Sequence, residues 1–495
     1  MKPLFLASTL IPFLATACIA QQKAPATDLV PIVAPNAIPA AAAPDKPLQM
    51  VDTLAWRSKN WSLRPVLTLD DLPGFAVAPV DAGIGRFGGL KSQVMTKTGF
   101  FHAEKAADGR WWMVDPDGYG FINRGVNSVN RSDSPAVEAV RKDKFGGPIG
   151  WATQTVQLLR ENGFNSTANW SDDEILMQAP NRLPYAHRWN FIAGYKNERP
   201  FKSKVKGKKT AYPADALPVF DPEFVTYCDE NAKQLEPWKN DPYLIGHFSD
   251  NELPFYENTL DNFLTLEPAD PGHKAAMEWL RKKHGANASA KTITDDDRAE
   301  FLALVADKYF SIVSAAIKKH DPNHMFIGSR FHAHVMDYPL LMQKAGQYLD
   351  VVSINYYGHW EPSQERMDDW AKSSGRPFLV SEFYAKGADT GMPNTSGAGW
   401  TVRTQHDRGL FYEQFAIGLL KNRNCVGWHW FKYADNDPAN PGDESNTDSN
   451  KGIVDISYQP YQPLLNVMQT MNERVYRVAN YFDQRAHASK TATAK

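Results

Sequence analysis

The sequence predicts a (β/α)8 barrel preceded by a short N-terminal extension, on three observations. From residue 119 onward, short apolar runs alternate with amphipathic helical stretches. Eight such runs fall within about 360 residues, the scale of one α/β barrel. Seven of the eight end in polar or aromatic residues, as expected where a barrel gathers its active groups at the C-terminal strand ends. A doubly wound open sheet is the alternative reading of the same alternation.

Residues 1–20 read as an export signal: Lys2, the apolar run from Leu4 to Ala17, then small residues. Two processing readings compete. Ala15-Thr16-Ala17-Cys18 resembles a lipoprotein site that would place a lipid on Cys18, whereas Cys18-Ile19-Ala20 would precede ordinary cleavage before Gln21. Residues 21–50 are Ala/Pro-rich and predict a disordered tether. Residues 51–118 hold Trp56, Trp61, Phe75, Phe100, Trp111 and Trp112, enough apolar surface to pack on a barrel. Within them, Phe100 to Val114 predicts a β-hairpin turning at Asp108-Gly109.

The barrel is expected over 119–485, with strands at 119–127, 164–170, 188–195, 244–252, 325–331, 351–357, 377–383 and 425–433. A helix from Trp151 to Glu161 carries Val156, Leu158 and Leu159 at helical spacing. The helix from Pro222 to Trp238 follows Asp221, with proline in the first turn. Arg298 to His320 follows Asp295-Asp296-Asp297, which suits the positive end of a helix dipole. Thr401 to Asn422 and Pro463 to Phe482 complete the set, and residues 486–495 read as a disordered tail.

Bulk properties narrow the partners. With 54 basic and 56 acidic residues, nothing points to nucleic acid or to an anionic membrane surface. A membrane enters only through a lipid on Cys18, since no later segment is long and apolar enough to span a bilayer. Fourteen tryptophans offer flat faces for sugar rings, or simply packing. Cys228 and Cys425 are expected as buried free thiols. No CxxC or HExxH is present, so neither a metal nor another cofactor is indicated. Gly83-Ile-Gly-Arg-Phe-Gly88 matches GxGxxG without a surrounding strand and helix, and reads as a loop. The acidic run Asp435 to Asp448 fits no EF-hand spacing and reads as a solvated loop near the cleft mouth. The basic run Lys202 to Lys209 reads as a solvated face, or more sharply as a surface for a sulfated substrate.

Glu252 and Glu382 are the candidate catalytic residues. Each ends a short apolar run, Leu244 to Glu252 and Phe378 to Glu382. A carboxylate there is poorly placed for a core and well placed for a site. Two of them supply what glycosidic cleavage needs: a proton for the leaving oxygen and negative charge facing the oxocarbenium ion. Glu252 is read as the acid and Glu382 as the ionised nucleophile, about 5–5.5 Å apart if configuration is retained. Asp250 is a rival for the acid role, because strand alternation puts Asp250 and Glu252 on one face and Asn251 on the other unless the strand end is distorted. Asn251 is expected to hold a sugar hydroxyl, Tyr357 and Arg330 to orient Glu382, and Trp430 to floor the sugar subsite. Asn127, Asn169, Trp170, His332 and Lys432 are the other strand-end groups expected to bind substrate. The competing reading of a strand-end glutamate is a structural salt-bridge partner.

Asn251-Glu252, Glu382 and Asn355-Tyr356-Tyr357 resemble the clan A retaining glycoside hydrolases, in which the tyrosine partners the nucleophile. More narrowly, residues 110–480 resemble the family-50 β-agarases. The likeness is carried by Phe248 to Glu252, Ser381-Glu382-Phe383, Ala388 to Met392, Asp407-Arg408, Val426 to Tyr433 and Gly452 to Asp455. The resemblance implies metal-free hydrolysis of β-1,4 links in agarose or agaro-oligosaccharides, and the leader an exported protein, periplasmic, anchored to the outer membrane or secreted. It departs from the family in having about 70 residues where a larger N-terminal carbohydrate-binding-like region is usual. Rival readings are a clan A β-galactosidase or β-glucosidase acting on another oligosaccharide, and a non-catalytic glycan-binding lipoprotein.

Overall fold

The computed structural model describes residues 47–131, 134–198, 215–439 and 447–493. The leader with Cys18, most of 21–50, the Lys202 to Lys209 run, and Asp443 and Glu444 of the acidic run lie outside the described residues.

The expected eight-stranded closed barrel is not what forms. Nine parallel strands make one curled sheet. Their order is Met325–Phe326, Leu244–Phe248, Tyr185–Arg188, Ser166–Thr167, Asn123–Val126, Cys425–Trp430, Phe378–Phe383, Val352–Asn355 and Phe331–His332. The two edges are pieces of the single strand expected at 325–331. Gly328 (φ 87) and Arg330 (φ 59) are left-handed, so an extended ladder cannot run through them. The ladder from Gly246 and His247 therefore ends at Met325 and Phe326, and the ladder to Ile354 and Asn355 begins at Phe331 and His332.

Other boundaries shift for equally local reasons. The strand expected at 188–195 lies at Tyr185–Arg188, and Phe191–Glu198 is helical. Asp250 Oδ1 accepts from the Ile192 N–H at 3.0 Å, satisfying a donor that the first helical turn leaves open. The expected strand 119–127 divides at Ile122: Tyr119–Phe121 is antiparallel to Trp111–Val114, and Asn123–Val126 joins the parallel sheet. The C-terminal helix is two helices, Gln462–Asn472 and Val475–Thr493. Asp81 caps the second by accepting from Tyr476 N–H at 2.9 Å and Arg477 N–H at 3.0 Å. That helix runs to Thr493, through most of what reads as a disordered tail. The long helix Asp295–His320 carries a Thr294/Asp297 capping box beneath its acidic first turn.

Two four-stranded sheets accompany the parallel one. Leu90–Val94, Tyr119–Phe121, Trp111–Val114 and His102–Lys105 form the first, with the predicted hairpin between the last two. In the second, Gln49–Leu54 pairs with both Trp61–Val66 and Trp400–Val402, and Ala385–Gly387 flanks the latter. The chain just after Glu382 is thus braced by the N-terminal strands. Gly83 to Gly88 is a turn, with Gly85 N–H donating to Gly89 O at 2.7 Å. Cys228 and Cys425 are free and buried. Among the described residues no helix is long and apolar enough to cross a membrane.

Candidate active site

Backbone strain gathers at one end of the parallel sheet. Ser128, Trp170, Glu252, Arg330 and Ala333 are all left-handed non-glycine residues, and each follows a strand of that sheet by a few residues. Each costs about 1–3 kcal/mol and persists only where the surroundings impose it. Glu252 at φ 53 lies four residues beyond the last strand residue, Phe248. Alternation has lapsed there, so Asn251 and Glu252 do not face opposite ways. Asn355 Nδ2 donates to both, to Glu252 Oε1 at 2.8 Å and Asn251 Oδ1 at 3.4 Å.

A short chain of hydrogen bonds joins the two carboxylates. Glu252 accepts from Asn355; Asn355 Oδ1 accepts from Arg330 Nε at 3.4 Å and from Ser381 Oγ at 2.8 Å; Arg330 Nη2 donates to Glu382 Oε1. Tyr357 Oη donates to the other oxygen, Glu382 Oε2. Arg330 is fully buried and also donates to the Ser381 carbonyl at 3.1 Å. With its amide turned so that the oxygen faces Arg330, Asn169 accepts from Arg330 Nε at 3.1 Å. The Trp170 ring lies 4.4 Å from the same guanidinium.

Burial raises both carboxyls above the ordinary glutamate value, but their neighbours differ. For Glu252 burial is opposed by the Asn355 hydrogen bond and by the Arg330 charge. For Glu382 burial is opposed by Arg330, the Tyr357 hydroxyl and Lys451, while the charge of Glu252 adds to the rise. Glu382 thus has more groups that favour its ionised form. Arg330 and Tyr357, expected to orient Glu382, each bond one of its carboxylate oxygens.

Asp250, the rival for the acid role, is engaged by interior partners. It is 2 % exposed, accepts from Tyr309 Oη at 2.5 Å and from Ile192 N–H, and burial pushes its carboxyl up to about 7. Three expected sugar contacts lie in the interior instead. Asn127 is fully buried and donates to the carbonyls of Ser381 at 2.9 Å and Trp430 at 3.3 Å. Asn169 is fully buried beneath Arg330. Trp430, expected as a subsite floor, is also fully buried, donating to the Lys451 carbonyl at 3.0 Å and packing edge-on to Phe383 at 5.5 Å. The next residue, Phe431, is partly exposed and stands edge-on to Trp170 at 5.9 Å. Trp170, Asn251, His332, Tyr357 and Lys432 keep partial exposure. His332 Nδ1 is buried without a partner, burial lowers the imidazole's proton affinity, and the Glu382 charge opposes that. Lys432 Nζ donates to Asn436.

Sequence reasoning names Asn355 only within the Asn355-Tyr356-Tyr357 motif, without a role of its own, and passes over Arg188 and Lys451. Arg188 ends a strand that the sequence starts there, and its guanidinium lies 5.1 Å from the Trp170 ring. Lys451 sits in a segment without periodicity. Among the described residues, His247, Asp321 and His324 are grouped closely enough to hold a metal. Their atoms already bond one another, His247 Nε2 and His324 Nδ1 each 2.7 Å from Asp321 Oδ2, and Trp189 Nε1 donates to His247 Nδ1 at 3.0 Å.

No protein-family model matches the chain. The crystal structure of BpGH50 superposes with a TM-score of 0.79 at 31 % identity, over 90 % of this chain and 98 % of that one. Beta-agarase B of Vibrio sp. (strain JT0107) is 27 % identical over 472 residues, 77 % of this chain and 48 % of the relative. Beta-agarase A of the same organism is 25 % identical over 475 residues, 77 % of this chain and 46 % of the relative. The chain spans about half the length of the curated relatives it matches. An exo-beta-agarase structure, at 22 % identity and a TM-score of 0.70, shares the fold.

Proposed function

The chain belongs to the GH50 family, and from that premise we propose that it hydrolyses the β-1,4-galactosidic links of agarose or agaro-oligosaccharides with retention of configuration, in the manner of clan A. The observation that carries the reading is the bonded path Glu252–Asn355–Arg330–Glu382, which links two carboxyls with unequal support. In the first step Glu252 gives its proton to the leaving oxygen while Glu382 attacks the anomeric carbon. In the second, Glu252 takes a proton from water, which displaces Glu382 from the glycosyl-enzyme. Arg330 and Tyr357 hold Glu382 ionised and aimed, so only charge stabilisation, not reorganisation, is needed as the bond forms. Asn251, which like Glu252 accepts from Asn355, would hold a sugar hydroxyl beside the scissile link.

The test is product analysis from agarose, neoagaro-oligosaccharides, porphyran, carrageenan and aryl β-galactosides and glucosides, with wild type and Glu382→Ala. Neoagarobiose from wild type alone, first appearing as the β-anomer by proton NMR, is the expected result. Turnover of other β-glycosides only would discard the galactan. An α-anomer as first product would discard retention.

A further inference from the structure

Arg188 is a cation that the proposed reaction leaves unused. It ends the strand Tyr185–Arg188 and stands in register with Phe248, four residues before Glu252. Its guanidinium lies 5.1 Å from the Trp170 ring, and that of Arg330 lies 4.4 Å from the same ring. One indole therefore touches both Arg188 and the residue that bonds Glu382. Trp170 is partly exposed, and its left-handed backbone and the edge-on ring of Phe431 fix where the indole stands.

The two arginines differ in how their charge is met. Arg330 is paired with Glu382 and also donates to the Ser381 carbonyl. The Arg188 side chain has one hydrogen-bond partner among the described residues, Asn190 Oδ1, which accepts from Nη1. Nε is buried without a partner, and Nη2 has none among the described residues. Asp250, near it in the fold, is turned to Tyr309 and to the Ile192 N–H. A guanidinium held partly out of water with an orphaned N–H costs free energy until something accepts from it. Nε–H and Nη2–H lie along one edge of the guanidinium plane. That edge is a fork matching two oxygens of a sulfate or a carboxylate, whereas a sugar hydroxyl would meet one N–H and bring no charge.

We propose that Arg188, held by Trp170 and Asn190, is a specificity-determining residue that takes an oxyanionic substituent, a sulfate ester or a carboxylate, on the galactan chain beside the sugar at the carboxyl pair. The substrate class rests on the function proposed above. A neutral chain leaves the fork unpaired, so the substituted chain is the preferred one.

The test compares kcat/KM on neutral agaro-oligosaccharides with kcat/KM on the same oligosaccharides carrying a sulfate ester or a carboxylate. Wild type should favour an anionic chain, and the two anionic arms tell sulfate from carboxylate. Arg188→Met should lower the ratio of anionic to neutral by about ten- to a hundredfold. Arg188→Lys, which keeps the charge without the fork, should fall between. Asn190→Ala, at an exposed position, releases the guanidinium and should lower the ratio by less; it carries the test should Arg188→Met fail to fold. A purely structural role would lower both substrates alike and leave the ratio unmoved. That result, or a wild type without the preference, overturns the proposal. A second measurement needs no turnover: the nitrogen-15 signal of Arg188 Nε, identified by its absence from Arg188→Met, is followed as inorganic sulfate is added, against sodium chloride at equal ionic strength. A signal moved by sulfate in a protein that cleaves no galactan keeps the anion site and rejects the proposed activity. Galactan cleavage with no preference and an unmoved signal rejects the anion site alone.

Discussion

Tyr357→Phe isolates one hydrogen bond at the centre of the proposed mechanism. The hydroxyl donates to Glu382 Oε2, and the ring stands edge-on to Tyr384 at 5.3 Å. Phenylalanine keeps that packing, so the fold should be unaffected. What is lost is a hydrogen bond to a buried carboxylate, worth about 1.5–3 kcal/mol. That is roughly one to two pH units at 1.36 kcal/mol per unit. The bond favours the ionised form, so its removal raises the proton affinity of Glu382 further. The acid limb of kcat/KM on neoagaro-oligosaccharides should therefore move up by about one to two units. Below that limb the variant loses roughly ten- to a hundredfold, and above it most of the rate returns. The assay is kcat/KM from pH 4.5 to 9 for wild type and variant. A loss of the same size at every pH would mean that Tyr357 acts on the substrate and not through the charge of Glu382, and the reasoning would fall.

Other outcomes follow from neighbouring observations. Glu252→Gln should lower kcat on oligosaccharides about 10²- to 10⁴-fold, and far less on aryl glycosides with good leaving groups, as steady-state comparison of the two substrate types would show. Trp430→Ala should act as a core truncation costing roughly 3–5 kcal/mol, because the ring is fully buried; denaturant unfolding checks it, and a raised KM with unchanged stability would restore Trp430 as a sugar platform. Glu413, 6 % exposed, accepts from the Leu69 N–H at 2.9 Å, and burial lifts its carboxyl from 4.5 to about 7. The folded chain keeps this proton where the unfolded chain gives it up. Its stability contribution is full below the lower value and lost as pH rises through the upper one. Glu413→Gln keeps an acceptor for Leu69, so its Tm should exceed that of wild type above pH 7 and converge with it near pH 4.5; parallel Tm curves would refute this.

Much of this layout can be read from the chain because apolar periodicity and cap residues act locally. The helix Asp295–His320 announces itself by Thr294 and three aspartates, and the run ending in Glu382 by its continuous burial. Glu252, Glu382, Arg330 and Tyr357 are found by their positions at strand ends, and the structure brings them together. What sequence reasoning misses depends on partners distant in the chain. Phe191 to Tyr195 is apolar enough for a strand, and becomes a helix because Asp250, about 58 positions away, caps it. Trp430 and Asn127 look like site residues at a strand end, but nothing local says that Lys451 and Ser381 close over them. The open edge at 325–331 hangs on the left-handed backbone of Arg330, a conformation the residue type does not advertise.

That interrupted edge also acts as a gauge. Ser329 O accepts from the Glu252 N–H at 3.1 Å, while the next residue, Arg330, takes its N–H to Ser353 Oγ at 3.0 Å and its side chain to Glu382. Two adjacent residues therefore set the span between the carboxyls. Gly328, at φ 87 and with Leu349 at 3.1 Å from where a Cβ would sit, leaves that segment little slack. Under the proposed reaction, the spacing of the two carboxyls is thus a property of this loop as much as of the strands that carry the glutamates.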